Sequence, residues 1–144
     1  MIAPRRFFFY GTLLDEADNP IARAAHRHLR PIGRAWVPGA LVALPDPAGW
    51  YPALVRGEGR VAGVLYAALP GFGANELAAL DHYEGCALGE YWRAIVPAHD
   101  GAGRARAAQA YLYRRRPPRA AQAIASGDFS GWLTETGRGP FRAG

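Results

Sequence analysis

Three consecutive phenylalanines, Phe7-Phe8-Phe9, followed by Tyr10 and Gly11, leave the start of this chain few options. Successive side chains of a strand point to opposite faces. A run that is apolar at every position must therefore be covered on both sides. Residues 6–10 are read as such a strand, and Gly11 as its breaker.

Downstream, Asn19-Pro20 starts a helix, with Asn19 as cap and Pro20 at its first position. The pattern carries that helix to about Leu29. His26 and His28 are two apart on it and do not share a face, so they are read as surface residues rather than metal ligands. Pro31 to Leu44 is extended, broken at Pro38-Gly39, and Asp46-Pro47 with Gly49 marks a turn. Ala53–Val55 and Val61–Leu69 are read as two strands joined by a hairpin at Gly57-Glu58-Gly59. Glu76 to Tyr83 forms a short helix stopped at Gly85. Tyr91–Ala98 and Ala107–Arg115 are two more strands. Pro117-Pro118 opens a last helix that Gly127 closes, and the tail after Ser130 is irregular. Many strands close in sequence with few helices predict one α+β domain over residues 1–144. The expected architecture is a small β-barrel, whose closure protects edge strands.

Charge narrows the chemistry. The chain of 144 residues carries a net charge of +5, and with no lysine every positive side chain is arginine. Schiff-base chemistry and a Walker-type phosphate lysine are excluded. Apart from Arg114-Arg115-Arg116 with Arg119 the arginines are scattered and lack interleaved aromatics, so no nucleic-acid partner is expected. The single cysteine, Cys86, excludes an internal disulfide and a multi-cysteine zinc site, and no other ligand spacing predicts a metal. Met1 to Phe7 looks like a twin-arginine signal, but the apolar stretch ends at Leu14 and meets Asp15-Glu16. No run reaches the length of a membrane span. The expected setting is cytoplasmic, as a monomer or weak homodimer.

Two segments carry the candidate chemistry. In the helix at 76–84, Leu77, Leu80, Asp81 and Glu84 share one face. If Leu77 and Leu80 point inward, Glu84 does too, and burial together with the negative end of the helix dipole raises its pKa toward general-base duty. The competing reading is a frayed last turn with Glu84 in solvent, and the pattern leaves both open. Asp81 is expected to bond backbone or an arginine such as Arg93. At Tyr10–Leu14, Gly11 permits a positive φ, which would let successive N–H groups converge into an anion-binding nest, with Thr12 adding a hydroxyl. An ordinary turn is the alternative. Ser126 and Ser130 lack a neighbouring histidine, and Cys86 is read as a small packing residue.

Taken in order, these segments resemble the γ-glutamyl cyclotransferase-like family. Phe9-Tyr10-Gly11-Thr12-Leu13 is similar to its N-terminal signature. Tyr51-Pro52-Ala53-Leu54-Val55, with Gly57, Val61, Gly63, Leu65 and Tyr66, is similar to its central hairpin. Leu80-Asp81-His82-Tyr83-Glu84-Gly85 with Tyr91 and Arg93 resembles its acidic-helix signature, and Ala110-Tyr111-Leu112-Tyr113 its last core strand. Ile124 to Phe129 resembles its tail, where tryptophan is commoner than Phe129. The resemblance covers residues 7 to about 130.

It implies a compact mixed, mainly antiparallel β-barrel with a few peripheral helices. It also implies Glu84 as catalytic acid/base and a glutamyl-binding loop at Tyr10, Gly11, Thr12 and Leu13. Tyr91 and Tyr113 would line the pocket, and Arg93 would serve as support beside Asp81. The implied reaction cleaves a γ-glutamyl amide by attack of its own α-amine, releasing 5-oxoproline and an amine or amino acid without a cofactor. The partner is then a small γ-glutamyl molecule, with Trp36, Trp50 and Trp92 expected in the outer wall. A binding or regulatory protein of the same fold, and a lyase acting on a γ-glutamyl-protected intermediate, are the alternatives.

Overall fold

The computed structural model describes residues 4–11, 13, 20–86 and 89–141. Nine elements follow in chain order: β1 (Arg6–Phe9), α1 (Pro20–His26), β2 (Leu29–Asp46), β3 (Gly49–Ala68), α2 (Ala74–Tyr83), β4 (Tyr91–Asp100), β5 (Ala105–Tyr113), β6 (Gln122–Ala123) and α3 (Phe129–Thr136). The sheet runs β3-β1-β5-β4-β2-β6, and β2 also pairs with β3. That second pairing closes five strands into a barrel and leaves β6 outside. The barrel is mixed: β1 lies parallel to β5 at Phe7↔Gln109, and the other pairings are antiparallel.

The aromatic run behaves as its pattern demands. Phe7, Phe8 and Phe9 are all buried, each contributing about 1.5–3 kcal/mol of apolar burial. Phe8 and Tyr10 enter a cluster drawn from all five barrel strands and capped by Phe129 and Trp132 of α3. Phe7 and Phe9 face the other way, into a cluster shared with Ala25 of α1 and Leu80 of α2. One strand thus fastens the barrel to the two helices, and the second cluster holds α2 in place.

Several sequence expectations are corrected here. Gly57-Glu58-Gly59 is no hairpin turn. β3 runs on through it in one direction, and its register against β2 jumps from Pro38↔Arg60 to Ala40↔Val55. The glycines allow that bulged stretch to lie close against Gly39 and Ala40, where side chains would collide. The helix α1 ends at His26 instead of Leu29, because Leu29 is already paired with Ala68 in the sheet. Its expected cap, Asn19, lies outside the described residues.

The helix predicted from Pro117 to Gly127 is replaced by turns and the short β6, which pairs with Val42 and Ala43 of β2. The predicted irregular tail instead contains α3. Asp128 caps it by accepting from the Gly131 N–H, Phe129 and Trp132 are buried, and left-handed Gly137 closes it.

Candidate active site

The site forms where the C-terminal end of α2 meets the start of β4, the segment after β1 and the Tyr51-Pro52 stretch of β3. The last turn of α2 is intact. The Glu84 N–H donates to the Leu80 carbonyl, and the next residue, Gly85, turns left-handed at φ 68° to end the helix. Leu80 is fully buried and Leu77 packs partly against the same cluster. That anchoring directs Glu84 inward, and the frayed-end alternative is set aside.

Glu84 lines two adjoining spaces. The inner notch is small, about 30 Å³, and is walled by Tyr10, Gly11, Leu13, Pro52 and Tyr91 as well as Glu84. The outer cleft is about 310 Å³ and shares Glu84, Tyr51 and Tyr91 with the notch. The Glu84 residue is partly covered. Burial around its carboxyl, reinforced by the negative charge of Glu90, pushes its pKa up to about 8. Its place at the C-terminal end of a helix acts in the same direction.

The walls are held by hydrogen bonds that leave the tyrosines little freedom. The Tyr10 hydroxyl donates to the Tyr111 carbonyl at 2.5 Å and accepts from the Leu54 N–H at 3.2 Å. The Tyr91 hydroxyl donates to the Pro52 carbonyl at 2.9 Å. Burial raises the pKa of both phenols, with Glu84 adding to each. They therefore act as neutral walls with committed protons. Leu13 is buried, and its carbonyl lies 2.7 Å from His26 Nε2, which ties the segment after β1 to α1.

Asp81, one turn earlier on α2, is differently placed. Arg93 donates to it from Nε at 3.0 Å and from a terminal nitrogen at 3.3 Å, and the Tyr111 hydroxyl donates at 2.5 Å. Arg93 also donates to Gln109, which reaches the Pro4 carbonyl. The expected Asp81–Arg93 pair is present and braces the helix end. Cys86 is partly covered, and burial pushes its thiol upward in pKa, away from thiolate chemistry.

Other expectations fare differently. Gly11 is not among the glycines with positive φ, so the nest argued from a left-handed turn is not formed at that residue. Glycine serves packing there, because a Cβ would run into the Pro52 ring. Thr12 lies outside the described residues. Tyr113 lines neither space at Glu84. Its ring stands edge-on to Tyr91 at 5.2 Å, and it borders a separate surface groove with Trp92. The three tryptophans do not build the outer wall: Trp36 stacks on His99, Trp50 packs on Trp132, and Trp92 lies in that groove.

The wall is made instead by Asp46, Tyr51, His82, Glu90 and Phe141, with Tyr83. Of these, Tyr51, His82 and Tyr83 belong to the motifs quoted from the sequence, without a role assigned there. Phe141 is brought in by the chain end, where its N–H donates to the Trp50 carbonyl. No pattern local to residue 141 signals that contact.

Among the described residues no group of three or more His, Cys, Asp and Glu side chains is arranged to hold a metal ion, and no helix is long and apolar enough to cross a membrane.

Comparison with known proteins gives a consistent outcome. A family model described as gamma-glutamyl cyclotransferase, AIG2-like, matches residues 7–131. The fold is similar to an uncharacterized protein of Pyrococcus horikoshii, with TM-score 0.65 and 20% identity over 92% of this chain and 95% of that one. It is similar to an AIG2-like protein of Mus musculus, with TM-score 0.62 and 21% identity over 81% and 82%. It is also similar to a structure titled gamma-glutamyl cyclotransferase, with TM-score 0.57 and 20% identity over 75% and 65%. At these identities the likeness speaks for the fold alone. No curated protein sequence matches the chain significantly.

Proposed function

The chain belongs to the gamma-glutamyl cyclotransferase, AIG2-like family, and from that premise we propose that it cleaves γ-glutamyl amides by internal cyclisation, with Glu84 as the proton carrier. The observation that carries this reading is the Glu84 carboxyl at the junction of notch and cleft, with its pKa pushed up to about 8. A peptide α-amine has a pKa of about 8, and the free α-carboxylate beside it in a γ-glutamyl group sets that amine somewhat higher. A proton passing between that amine and Glu84 moves between near-equal partners, the condition under which a general base works best.

The reaction then runs in one site. Glu84, as carboxylate, takes a proton from the substrate α-ammonium. The freed nitrogen attacks the γ-carbonyl carbon and closes a five-membered ring. As the C–N amide bond breaks, Glu84 returns the proton to the departing nitrogen, and the second proton of the ring nitrogen follows by the same carboxylate, leaving a lactam N–H and an ammonium product. The products are 5-oxoproline and an amine or amino acid, with no water consumed. Because the nucleophile is tethered to its target, positioning supplies a large share of the rate.

Size divides the labour. The notch, at about 30 Å³, has room for a small group of the substrate and not for the whole of it. The α-ammonium fits there beside Glu84, between Tyr10, Gly11, Leu13 and Tyr91. The leaving group extends into the cleft, whose volume of about 310 Å³ is at the lower end of small-molecule sites.

Glu84→Gln tests the reading. The variant is expected to lose 5-oxoproline release by roughly a hundredfold or more while keeping its circular dichroism spectrum. A purified variant that turns over γ-glutamyl amides at the wild-type rate would remove Glu84 from the mechanism.

A further inference from the structure

The outer cleft has a charge opposite to that of the protein. The chain carries a net charge of +5, all of its fixed positive charge on arginine. Yet among the described residues the charged side chains lining the cleft are Asp46, Glu84 and Glu90, with His82 beside them and no arginine. Among the described residues the salt bridges join Arg93 to Asp81 and Arg106 to Asp100, and neither Asp46 nor Glu90 takes part.

Glu90 is turned toward this space by the backbone around it. Its carboxyl lies over Gly85, within about 3.4 Å of where a side chain at that left-handed residue would begin. Both Glu90 and Asp46 act electrostatically on Tyr51, whose ring stands between notch and cleft. Arg115 also acts on Tyr51 but does not line the cleft. Phe141 completes the wall edge-on to Tyr51 at 5.8 Å. Two carboxylates outside any salt bridge and two aromatic rings are the components that hold an ammonium group. The buried Glu84 carboxyl, which no donor reaches among the described residues, opens onto the same space.

Proton transfer requires one carboxyl, and Glu84 provides it. Asp46 and Glu90 carry no proton in that step, and Glu90 bears on it only through its charge beside Glu84. We infer that the cleft is a leaving-group subsite for amines carrying a second, cationic group, with Asp46 and Glu90 as specificity residues and Tyr51 and Phe141 as its aromatic faces. This rests on the reaction proposed above and specifies its substrate class: amides of the γ-carboxyl of glutamate with a diamine or another polycationic amine. Leaving groups that end in a carboxylate would meet like charges at Glu90 and at the more exposed Asp46, and are disfavoured.

A matched series isolates the distal group. γ-Glutamyl-1,4-diaminobutane, γ-glutamyl-n-pentylamine and γ-glutamyl-5-aminopentanoate share one head and one chain length and differ only in a terminal ammonium, methyl or carboxylate. With the wild-type protein, kcat/KM from 5-oxoproline release is expected to fall in that order, with tenfold or more between the ends. Asp46→Asn combined with Glu90→Gln should compress the ammonium-to-methyl ratio toward one. Each single change should compress it in part, and the wild-type ranking requires no variant at all.

Equal kcat/KM across the series, or preference for the carboxylate, would overturn the subsite while leaving the cyclisation standing. If none of the three amides is turned over, the cyclisation fails, and melting curves with 1,4-diaminobutane and n-pentylamine themselves decide the subsite. A rise with the diamine alone, erased by the double substitution, would uphold it. Equal responses would sink it.

Discussion

Asp81 and Glu84 sit three residues apart at one end of the same helix, and they meet opposite surroundings. Asp81 accepts from Arg93 twice and from Tyr111 once. Glu84 faces a notch and a cleft, with another carboxylate, Glu90, as its electrostatic neighbour. The first acid is satisfied and structural. The second is kept short of donors, which makes its charged form costly and its proton available near neutral pH. Residue type and helix position do not separate the two. What separates them is which neighbouring strand supplies donors and which supplies empty space.

The largest test of this contrast is kinetic. If Glu84 is the reactive member, Glu84→Gln abolishes turnover, whereas Asp81→Asn retains far more of it. The reverse pattern in 5-oxoproline release would exchange their roles.

Stability against pH gives the next largest effect. The folded-state pKa of Glu84 is raised from an ordinary 4.5 to about 8. Between those values the folded protein holds a proton that the unfolded chain releases, so this group lowers stability progressively as pH rises through that window. Above about pH 8 both states are ionised and the penalty levels off. Glu84→Gln removes it. The variant should be more stable than wild type at pH 9 by on the order of 3 kcal/mol, a figure reduced for the residue's partial exposure, and the gap should close toward pH 4. Denaturant melts at several pH values would show it, and a gap that does not vary with pH would break the contrast.

Asp81→Asn should cost about 2 kcal/mol at neutral pH, because charged hydrogen bonds from Arg93 and Tyr111 are weakened together. Tyr111→Phe removes one donor and should cost about 1 kcal/mol, read from the same denaturation curves. A cost for either well below that of an ordinary surface substitution would mean that the Asp81 network holds nothing in place.

The parts of this protein that could be read in advance are those where a local pattern has one physical solution. Phe7-Phe8-Phe9 has to be covered on both faces, and it is. The Leu77–Leu80 spacing followed by Gly85 has to end a helix with its leucines inward, and it does, whereas the side Glu84 takes was open in the pattern and was decided by the intact last turn. Of the two partners open to Asp81, backbone or an arginine such as Arg93, the structure shows the arginine. Where several solutions exist, long-range contacts decided. Gly57-Glu58-Gly59 has the composition of a turn, but the continuous partner strand β2 holds it as a bulge within β3. Gly11 has the freedom for a left-handed nest, and Pro52 across the barrel makes it a packing glycine instead. The signals for α3 were present in Asp128, Phe129, Trp132 and Gly137, but the glycines around them obscured the pattern.

The site divides along the same line. Glu84 and the Tyr10-Gly11 segment are legible because short motifs carry them. Asp46, Glu90 and Phe141 are not, since they arrive from three separate places in the chain and share no local pattern.

By itself, then, the order of residues determined a two-faced aromatic strand, an acid at the end of a helix and an arginine-only positive charge. Those depend on interactions within a few residues, which spacing and side-chain chemistry settle. Barrel closure decided which acid lost its donors, how much space adjoins it, and that acids line a cleft in a basic protein. These are differences in solvation among residues far apart in the chain, and only packed elements can create them.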